Sequence, residues 1–173
     1  MQLRDMRLDD TADVLRWRNA PHVAEVMFHD AEIDPETHAA WMARVLDDDS
    51  VRYWIIEHDG RGVGVANLAD ISWTHSRAAW AYYLGDVDVP APVGLAVEFE
   101  IMRIAFAELG INKLISEVLA FNDRVIALHQ RVGFTVEGTL RQHITRSDGT
   151  HDVVVLSMLK DEWHQRHGRR NRV

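Results

Sequence analysis

Two side chains that can move protons lie close together in the segment LISEVLAFNDRVIALHQRVGF, residues 114–134. Glu117 lies in a strand-like run, and His129 follows in a short run with helical spacing. Between them Asn122 ends the strand and can cap the helix, because its side-chain oxygen can accept a backbone N–H. A carboxylate and an imidazole are candidates for a general base and a general acid. The alternative for each is structural: a strand carboxylate paired with a basic neighbour, and a helix histidine that lines a pocket without transferring a proton.

The segment PAPVGLAVEFEIMRIAF, residues 90–106, is a second candidate, in this case for binding an anion. It reads as a loop that becomes a helix, and a helix start presents unpaired N–H groups to a phosphate. Yet no Lys or Arg lies between Ala91 and Ile101, and Pro90 and Pro92 have no N–H. Taken alone, the segment fits either an anion site or an ordinary helix start in which Gly94 permits tight packing against a strand.

The composition excludes several classes of protein. The chain has 173 residues, of which 47% are hydrophobic, enough for one domain with a full core. Cysteine is absent, so disulfides, thiolate metal sites and a cysteine nucleophile are excluded. A formal net charge of −8 argues against a nucleic-acid partner, since such proteins carry a basic face. The same charge is compatible with a cationic or amine-bearing substrate.

Neither a metal site nor a membrane segment is expected. The chain has ten histidines but no H-E-x-x-H motif, and His164 and His167 fall in the basic end HQRHGRRNRV. No apolar run approaches the roughly 20 residues that span a bilayer. The start MQLRDMRLDD is charged, which is not typical of a signal peptide. We therefore expect a cytoplasmic protein with one domain, residues 1–163, and a flexible basic tail, residues 164–173.

Hydrophobic spacing and turn residues predict the order β-αα-βββ-α-β-α-ββ. The predicted strands are 1–6, 52–58, 62–71, 78–86, 113–120 and two strands within 141–159, with hairpin turns at Asp59-Gly60 and Asp148-Gly149. The predicted helices are 9–19, 35–46, a long helix that ends at Leu109, and 122–132. A strand, a crossover helix and a second strand over residues 80–119 imply a parallel pair in a mixed sheet. The predicted buried face of the long helix comprises Leu95, Phe99, Met102, Phe106 and Leu109.

The segment after residue 121 resembles a motif of the GNAT (Gcn5-related) N-acetyltransferases. That motif, N-x-x-(A/V)-x-x-(L/F)-(Y/H)-x-x-x-G-F, is matched here by Asn122, Val125, Leu128, His129, Gly133 and Phe134. The end of the chain, residues 137–163, is similar to the branch that holds the ribosomal-protein and spermidine N-acetyltransferases. Residues 17–46 are similar to the amino-sugar N-acetyltransferases of pseudaminic acid biosynthesis, which acetylate a nucleotide-linked amino sugar. The resemblance therefore covers nearly the whole chain.

The resemblance implies a fold and a reaction. The fold is the α/β (α+β) GNAT fold, a mixed and mostly antiparallel sheet of six to seven strands flanked by about four helices. The reaction is transfer of the acetyl group of acetyl-CoA, the cosubstrate, to a primary amine. Glu117 matches the place of a glutamate in the peptide N-terminal acetylases of the family, which implies a base. His129 occupies the place where many relatives have a tyrosine acid.

The resemblance also implies which residues bind the cofactor. The pyrophosphate loop of the family, (R/Q)-x-x-G-x-(G/A), reads Ala91 to Ala96 here, so the leading Arg or Gln is missing. The implied phosphate donors are the backbone amides of Val93, Gly94, Leu95 and Ala96. A bulge at the end of the third sheet run implies pantetheine contacts from the backbone of Tyr83, Leu84 and Gly85. The helix that follows Asn122 implies further cofactor contacts from Asn122, Arg124, Val125 and Leu128.

For the acceptor pocket we expect residues from the first two helices, namely Trp17, Arg18, Asn19, His38 and Trp41. Arg18 could bind a nucleotide phosphate, and a tryptophan could stack on a base. The alternative is that Trp17 and Trp41 belong to the core. The leading acceptor, a small molecule, is an amino sugar attached to a nucleotide, with a protein N-terminus or a polyamine as alternatives. A non-catalytic acetyl-CoA sensor and a homodimer are further hypotheses.

Overall fold

A seven-stranded mixed sheet forms the centre of the computed structural model, which describes residues 1–167. The strands are β1 (Gln2–Asp5), β2 (Arg52–His58), β3 (Arg61–Ser72), β4 (Arg77–Leu84), β5 (Lys113–Leu119), β6 (Thr135–Arg146) and β7 (Gly149–Leu159). Their order across the sheet is β1-β2-β3-β4-β5-β7-β6. β4 and β5 pair in parallel, and the other neighbours pair antiparallel. This confirms the predicted mixed sheet and its parallel pair.

Within residues 1–167, six α-helices flank the sheet. They are α1 (Thr11–Arg18), α2 (Pro21–Ala24), α3 (Pro35–Leu46), α4 (Ala91–Arg103), α5 (Asp123–Val132) and α6 (Lys160–His167). The short helices α2 and α6 are additions to the four predicted ones. Within the described range, none of the helices is both long and apolar enough to cross a bilayer.

Side chains that alternate along the strands build a core on each face of the sheet. In β2, Trp54 and Ile56 join a large cluster with α4, whereas Ile55 joins a smaller cluster with Trp17 of α1 and Met42 of α3. The side chains of successive strand residues point to opposite faces, so one strand serves both clusters. The result is a sheet with helices on both sides, a three-layer arrangement.

The predicted buried face of the long helix is wrong in part. Met102 and Phe106 are buried, but Leu95 is 39% exposed. The buried face instead follows a row that is shifted by one to two positions, comprising Val93, Gly94, Val97, Glu98, Ile101 and Met102. Two causes misled the prediction. The helix is apolar on more than one side, and residues Ile104–Glu108 form a π-helical turn that changes the spacing of the last turn.

The predicted boundary between domain and tail falls inside a helix. α6 continues to His167, whose Nε2 lies 3.4 Å from the carbonyl oxygen of Val132. The ring of His167 also meets Phe99 edge to face, with 5.0 Å between ring centroids. The helix therefore extends past the predicted boundary, and His167 packs on the domain. The remainder of the predicted tail, residues 168–173, lies outside the described residues.

The strands β4 and β5 part soon after they begin to pair. Their register runs over three pairs, from Arg77 with Lys113 to Ala79 with Ile115. From Trp80 onward β4 stays paired with β3, while β5 stays paired with β7. A cleft opens where the two strands separate, and this cleft becomes the candidate site described below.

Gly85 directly follows β4, at a point where the backbone lies against Trp17. A β-carbon built on Gly85 would lie 2.1–2.3 Å from three atoms of the Trp17 side chain. We therefore expect Gly85→Ala to destabilise the fold by about 1–3 kcal/mol, as other overpacked sites do. Urea denaturation measures the change.

The matched control is Gly138→Ala in β6, where an added β-carbon meets nothing within 4 Å. It should change the free energy of unfolding by less than about 0.5 kcal/mol. Equal stability of the two variants would contradict the close approach at Gly85.

Candidate active site

The cleft between β4 and β5 contains the two predicted proton-transfer residues. It encloses about 510 Å³. Its lining includes Trp80, Tyr82 and Leu84 from β4, Ser116 and Glu117 from β5, and Asn122, Val125 and His129 at and after the start of α5. The structure thus brings Glu117, Asn122, Val125 and His129 to one site, as the sequence predicted.

Backbone groups of β4 form one wall of this cleft. The N–H of Gly85 donates to the carbonyl of Val63 in β3, at 2.8 Å. Because the backbone groups of successive strand residues point to alternate sides, those of Tyr83 also face β3. Those of Tyr82 and Leu84 face the cleft, where the Leu84 carbonyl lies 3.2 Å from Nε2 of His22.

The alternation corrects the prediction for Tyr83, Leu84 and Gly85. The amides of Tyr83 and Gly85 serve the sheet, and only Leu84 of the three turns its backbone toward the cleft. Tyr83 still lines the cleft with its side chain. The sequence analysis missed Tyr82, whose backbone faces the cleft, because the hydrogen-bonding side of a strand residue depends on which neighbouring strand it pairs with.

His129 is fixed by a partner that the sequence analysis missed. Its Nδ1 lies 3.2 Å from Oε1 of Glu98 in α4, and the two side chains are 4% and 0% exposed. The ring also packs beside Trp80 and Phe134, with centroids 5.0 and 5.5 Å away. The available signal was Glu98 itself, a carboxylate within an apolar helix. The predicted buried face contains Phe99 and so lies one position away from Glu98.

The predicted cofactor residues at the start of α5 lie in different surroundings. The Asn122 side chain accepts from the N–H of Val125 at 3.4 Å, which confirms the predicted cap. Leu128 packs against the large core cluster, and Arg124 is exposed at the helix start. Burial raises the pKa of Tyr82, Glu98 raises it further, and the charge of Arg124 lowers it.

The loop before α4 offers fewer free amides than predicted. The helix begins at Ala91, and the N–H of Val93 donates to the carbonyl of Pro90 at 2.9 Å. The amides of Leu95 and Ala96 lie far enough into the helix to bond the carbonyls four residues before them. Pro90 and Pro92 have no N–H, so Ala91 contributes one amide at this turn, and the amide of Gly94 stays a predicted donor.

Gly94 has a packing role in addition. A β-carbon there would lie 2.9 Å from the hydroxyl oxygen of Tyr82. The glycine therefore lets α4 approach β4 closely, which was the structural alternative for this loop. That contact also fixes the position of Tyr82, one of the residues that line the cleft.

A second, larger cavity adjoins the cleft. It encloses about 720 Å³ and shares five lining residues with the cleft, Arg18, Met27, His29, Ala81 and Tyr83. Its remaining polar or aromatic lining includes Thr37, His38, Trp41, Arg44, Tyr53 and Asn67. Three of the predicted acceptor residues, Arg18, His38 and Trp41, therefore line this cavity.

The other two predicted acceptor residues have structural roles. Trp17 is 2% exposed in the smaller core cluster, and its indole N–H donates to Asp86 at 3.1 Å. The amide of Asn19 exchanges hydrogen bonds of 2.9 and 3.0 Å with the backbone of Ile33. Neither residue lines the cavity, because both side chains are committed to packing or to closing a loop. The prediction of acceptor contacts is wrong for these two.

Two polar groups in the larger cavity are buried without a hydrogen-bond partner among the described residues. They are Nη1 of Arg18 and both ring nitrogens of His38. Arg18 donates through Nη2 to the carbonyl of His29 at 2.7 Å, so its guanidinium is oriented. Burial lowers the pKa of Arg18 and that of His38. Buried polar groups usually have partners, and a bound ligand can supply them here.

The larger cavity is also free of negative side chains. Among the described residues that line it there is no Asp or Glu, although the chain carries a net charge of −8. Arg18 and Arg44 are its charged residues. The acidic character of the protein therefore lies elsewhere on its surface, and this cavity suits an anionic or neutral group.

The tip of the β6–β7 hairpin is hydrogen-bonded to the loop of residues 25–30, which contributes to the lining of both cavities. Nη1 of Arg146 donates to the carbonyls of Glu25 and Met27, at 2.9 and 2.6 Å. Ser147 donates to Asp30 through its backbone N–H at 3.1 Å and through its hydroxyl. Met27 and His29 from this loop line both cavities. The hairpin tip therefore positions part of the site from a distant place in the sequence.

Comparison with known proteins agrees with this geometry. The family described as "Acetyltransferase (GNAT) domain" matches residues 1–135. The chain is 30% identical over 130 residues to the SPbeta prophage-derived uncharacterized N-acetyltransferase YokL of Bacillus subtilis (strain 168), covering 74% of this chain and 72% of YokL. It is 28% identical over 123 residues to Acetyltransferase PseH of Campylobacter jejuni, covering 71% of this chain and 75% of PseH.

The fold matches that of a solved acetyltransferase. The spermidine N-acetyltransferase from Vibrio cholerae, in complex with CoA and spermine, superposes with a TM-score of 0.87 over 94% of this chain and 96% of that chain. The two sequences are 16% identical, so this likeness concerns the fold.

Loss of the Arg146 side chain should loosen the loop at residues 25–30. Arg146→Ala removes two charge-assisted hydrogen bonds, each worth about 1.5–3 kcal/mol. We expect amide hydrogen exchange in the loop to rise about tenfold or more, since local opening becomes easier. Hydrogen–deuterium exchange with mass spectrometry measures this change.

Arg141→Ala is the control, because Arg141 is an exposed arginine on the same strand. It should leave exchange in the loop unchanged. If Arg146→Ala also leaves exchange unchanged, the hairpin tip does not hold the loop.

Proposed function

The chain belongs to the GNAT acetyltransferase family and is an acetyl-CoA-dependent N-acetyltransferase, and we propose that its acceptor is the primary amine of a nucleotide-linked amino sugar. The observation that carries the proposal is the charge of the larger cavity, which pairs two arginines with an absence of carboxylates among its described lining residues. The resemblance of residues 17–46 to amino-sugar acetyltransferases supports the same acceptor.

The cavity offers what a nucleoside diphosphate needs. An arginine can bind phosphate oxygens through two parallel N–H groups, and the buried Nη1 of Arg18 has no other described partner. Arg44 lies on the same wall of α3 as Trp41, whose indole can stack on a base. The neutral ring of His38 can bond a sugar hydroxyl. Phosphate, base and sugar thus each find a suitable group.

A polyamine fits this cavity less well. Spermidine is a polycation, and burying it requires carboxylates that replace its water. The cavity instead presents the positive charges of Arg18 and Arg44, which repel it. The net charge of −8 is compatible with a cationic substrate, but no Asp or Glu is among the described residues that line this cavity.

The cleft between β4 and β5 suits acetyl-CoA, which when bound supplies the acetyl group as a thioester. The edge of β4 that faces the cleft at Tyr82 and Leu84 pairs with no strand within residues 1–167 and offers backbone groups to an amide-containing arm, although the Leu84 carbonyl also meets His22. Asn122 and Val125 lie at the other wall. We propose that the start of α4 and the exposed Arg124 contribute to holding the phosphates, with Ala91 supplying a backbone N–H.

The proposed mechanism assigns one task to each residue of the cleft. An alkylammonium has a pKa near 10.4 and cannot attack a thioester until it loses a proton. Glu117 takes that proton directly or through water. A backbone N–H on the open edge of β4 stabilises the oxyanion that forms during the attack. His129 protonates the departing sulfur.

An acceptor panel tests the proposed substrate. Thiol release can be followed without background, since the protein has no cysteine. We expect kcat/KM to be highest for UDP- or dTDP-linked amino sugars, above spermidine and peptide N-termini. Arg44→Ala should raise KM for the nucleotide sugar by about 10- to 100-fold, the effect of losing one charged hydrogen bond, and should spare a free amino sugar.

Arg52→Ala, an exposed arginine on β2, is the matched control for Arg44→Ala. Preference for spermidine would refute the proposed acceptor while leaving the acetyltransferase assignment intact. Stabilisation by CoA without thiol release from any amine would instead favour the sensor hypothesis.

The base role of Glu117 predicts a particular pH dependence. Glu117→Gln keeps the shape of an exposed side chain and should leave the melting temperature unchanged. It should lower kcat/KM most at low pH, where the amine is most protonated and depends most on a base. The pH–rate profiles of the wild-type protein and of Glu117→Gln test this prediction. A loss of kcat/KM that is constant with pH would contradict the assignment of Glu117 as the base.

A further inference from the structure

The pair formed by Glu98 and His129 is the one buried charged contact beside the cleft whose purpose the fold does not explain, within residues 1–167. Glu98 belongs to α4 and His129 to α5, and their side chains are 0% and 4% exposed. Oε1 of Glu98 lies 3.2 Å from Nδ1 of His129, while Oε2 of Glu98 has no hydrogen-bond partner among the described residues. A buried carboxylate with one unpaired oxygen costs stability, so an apolar residue would suit packing better.

The geometry determines which ring nitrogen faces the cleft. Nδ1 is the ring nitrogen that meets Glu98, and a carboxylate can only accept when it is ionised, so we infer that Nδ1 carries the hydrogen in this contact. Trp80 and Phe134 pack beside the ring and restrict its rotation. His129 lines the cleft, and with Nδ1 engaged its Nε2 is the nitrogen that remains for a ligand there. The hydrogen bond made by one ring nitrogen sets the protonation of the other.

We propose that Glu98 is a positioning residue for the acetyl transfer. Its carboxylate holds the Nδ1–H form of His129, keeps Nε2 directed at the sulfur of the cosubstrate, and stabilises the ring when both nitrogens carry hydrogen. Glu98 does not touch the substrate and acts through His129. The inference rests on the proposed function for the role of His129, whereas the ring geometry stands independently of it.

The proton balance passes one proton through the ring. The substrate ammonium loses two protons overall, one before it attacks and one after the new C–N bond has formed. The first passes to Glu117 and from there to water. Nε2 of the Nδ1–H ring takes up the second, so that both ring nitrogens carry hydrogen. When the C–S bond breaks, its electron pair stays on sulfur and the hydrogen on Nε2 moves to that sulfur. The ring keeps the hydrogen on Nδ1, still bonded to Glu98, and ends in the form in which it began.

The first experiment measures the tautomer directly. In Glu98→Leu the carboxylate is replaced by an apolar group of similar size, which removes the acceptor for Nδ1–H. We expect the ¹³Cδ2 chemical shift of His129 to move from the Nδ1–H value toward the Nε2–H value. The chain has ten histidines, so the resonance is identified by its loss in His129→Phe. Glu98→Gln retains an oxygen acceptor and should keep the Nδ1–H signature to a greater extent than Glu98→Leu. It is the second variant if Glu98→Leu does not fold.

The second experiment measures turnover in a double-mutant cycle. Glu98→Leu should lower kcat about tenfold or more, at the lower end of the effect of a general acid, with the Kd of CoA changed less than about twofold. In the His129→Phe background the same substitution should have no further effect on kcat. Glu100→Gln, two residues along the same helix on its partly exposed side, should leave kcat unchanged.

Three results would overturn the proposal. The tautomer signal could stay the same in Glu98→Leu. The losses from Glu98→Leu and His129→Phe could add independently, which is expected of a packing role alone. His129→Phe could retain full kcat, in which case Glu98 would hold a ring that does not take part. None of these results would affect acetyl transfer itself, which thiol release with wild-type protein establishes separately.

Discussion

The separation of β4 from β5 after three residue pairs is the constraint on which the site depends. Backbone N–H and C=O groups need partners, and a strand that leaves its neighbour exposes a row of them. Here the open edge of β4 at Tyr82 and Leu84 becomes the wall of a cleft. α5 begins where β5 ends, so Asn122 and His129 come to the same opening. The separation of β4 from β5 therefore brings backbone groups, a carboxylate and an imidazole together.

Two cavities with different characters meet at this opening. The cleft holds Glu117 and His129, while the larger cavity presents Arg18 and Arg44 and, among its described lining residues, lacks carboxylates. Arg18 and Tyr83 belong to both linings. An acceptor can thus keep an anionic part in the larger cavity while its amine reaches the cleft. This division gives a physical basis for substrate selection that the overall net charge of −8 does not reveal.

Incompletely paired polar groups mark both sides of the site. Nη1 of Arg18, the ring nitrogens of His38 and Oε2 of Glu98 are all buried without a described partner. Each lowers the stability of the folded protein. Arg18 and His38 line the larger cavity, and Glu98 contacts His129 of the cleft. The ion pairs of Arg4 with Asp10 and Glu57, in contrast, lie near the surface. The stability lost at the site is consistent with groups that are arranged for a ligand.

The sequence by itself determined the local features. Turn residues and periodicity predicted the element order and both hairpins, and the motif around Asn122 and His129 identified the family. The tertiary structure decided the rest. It paired Glu98 with His129, assigned Trp17 to the core, turned the backbone of Leu84 rather than Gly85 toward the cleft, and engaged the amide of Val93 with the carbonyl of Pro90. Periodicity reports which side of an element is apolar, because that depends on neighbours within a few residues. It does not report which distant chain covers that side, and packing against that chain fixes hydrogen-bond partners, burial and the local charge.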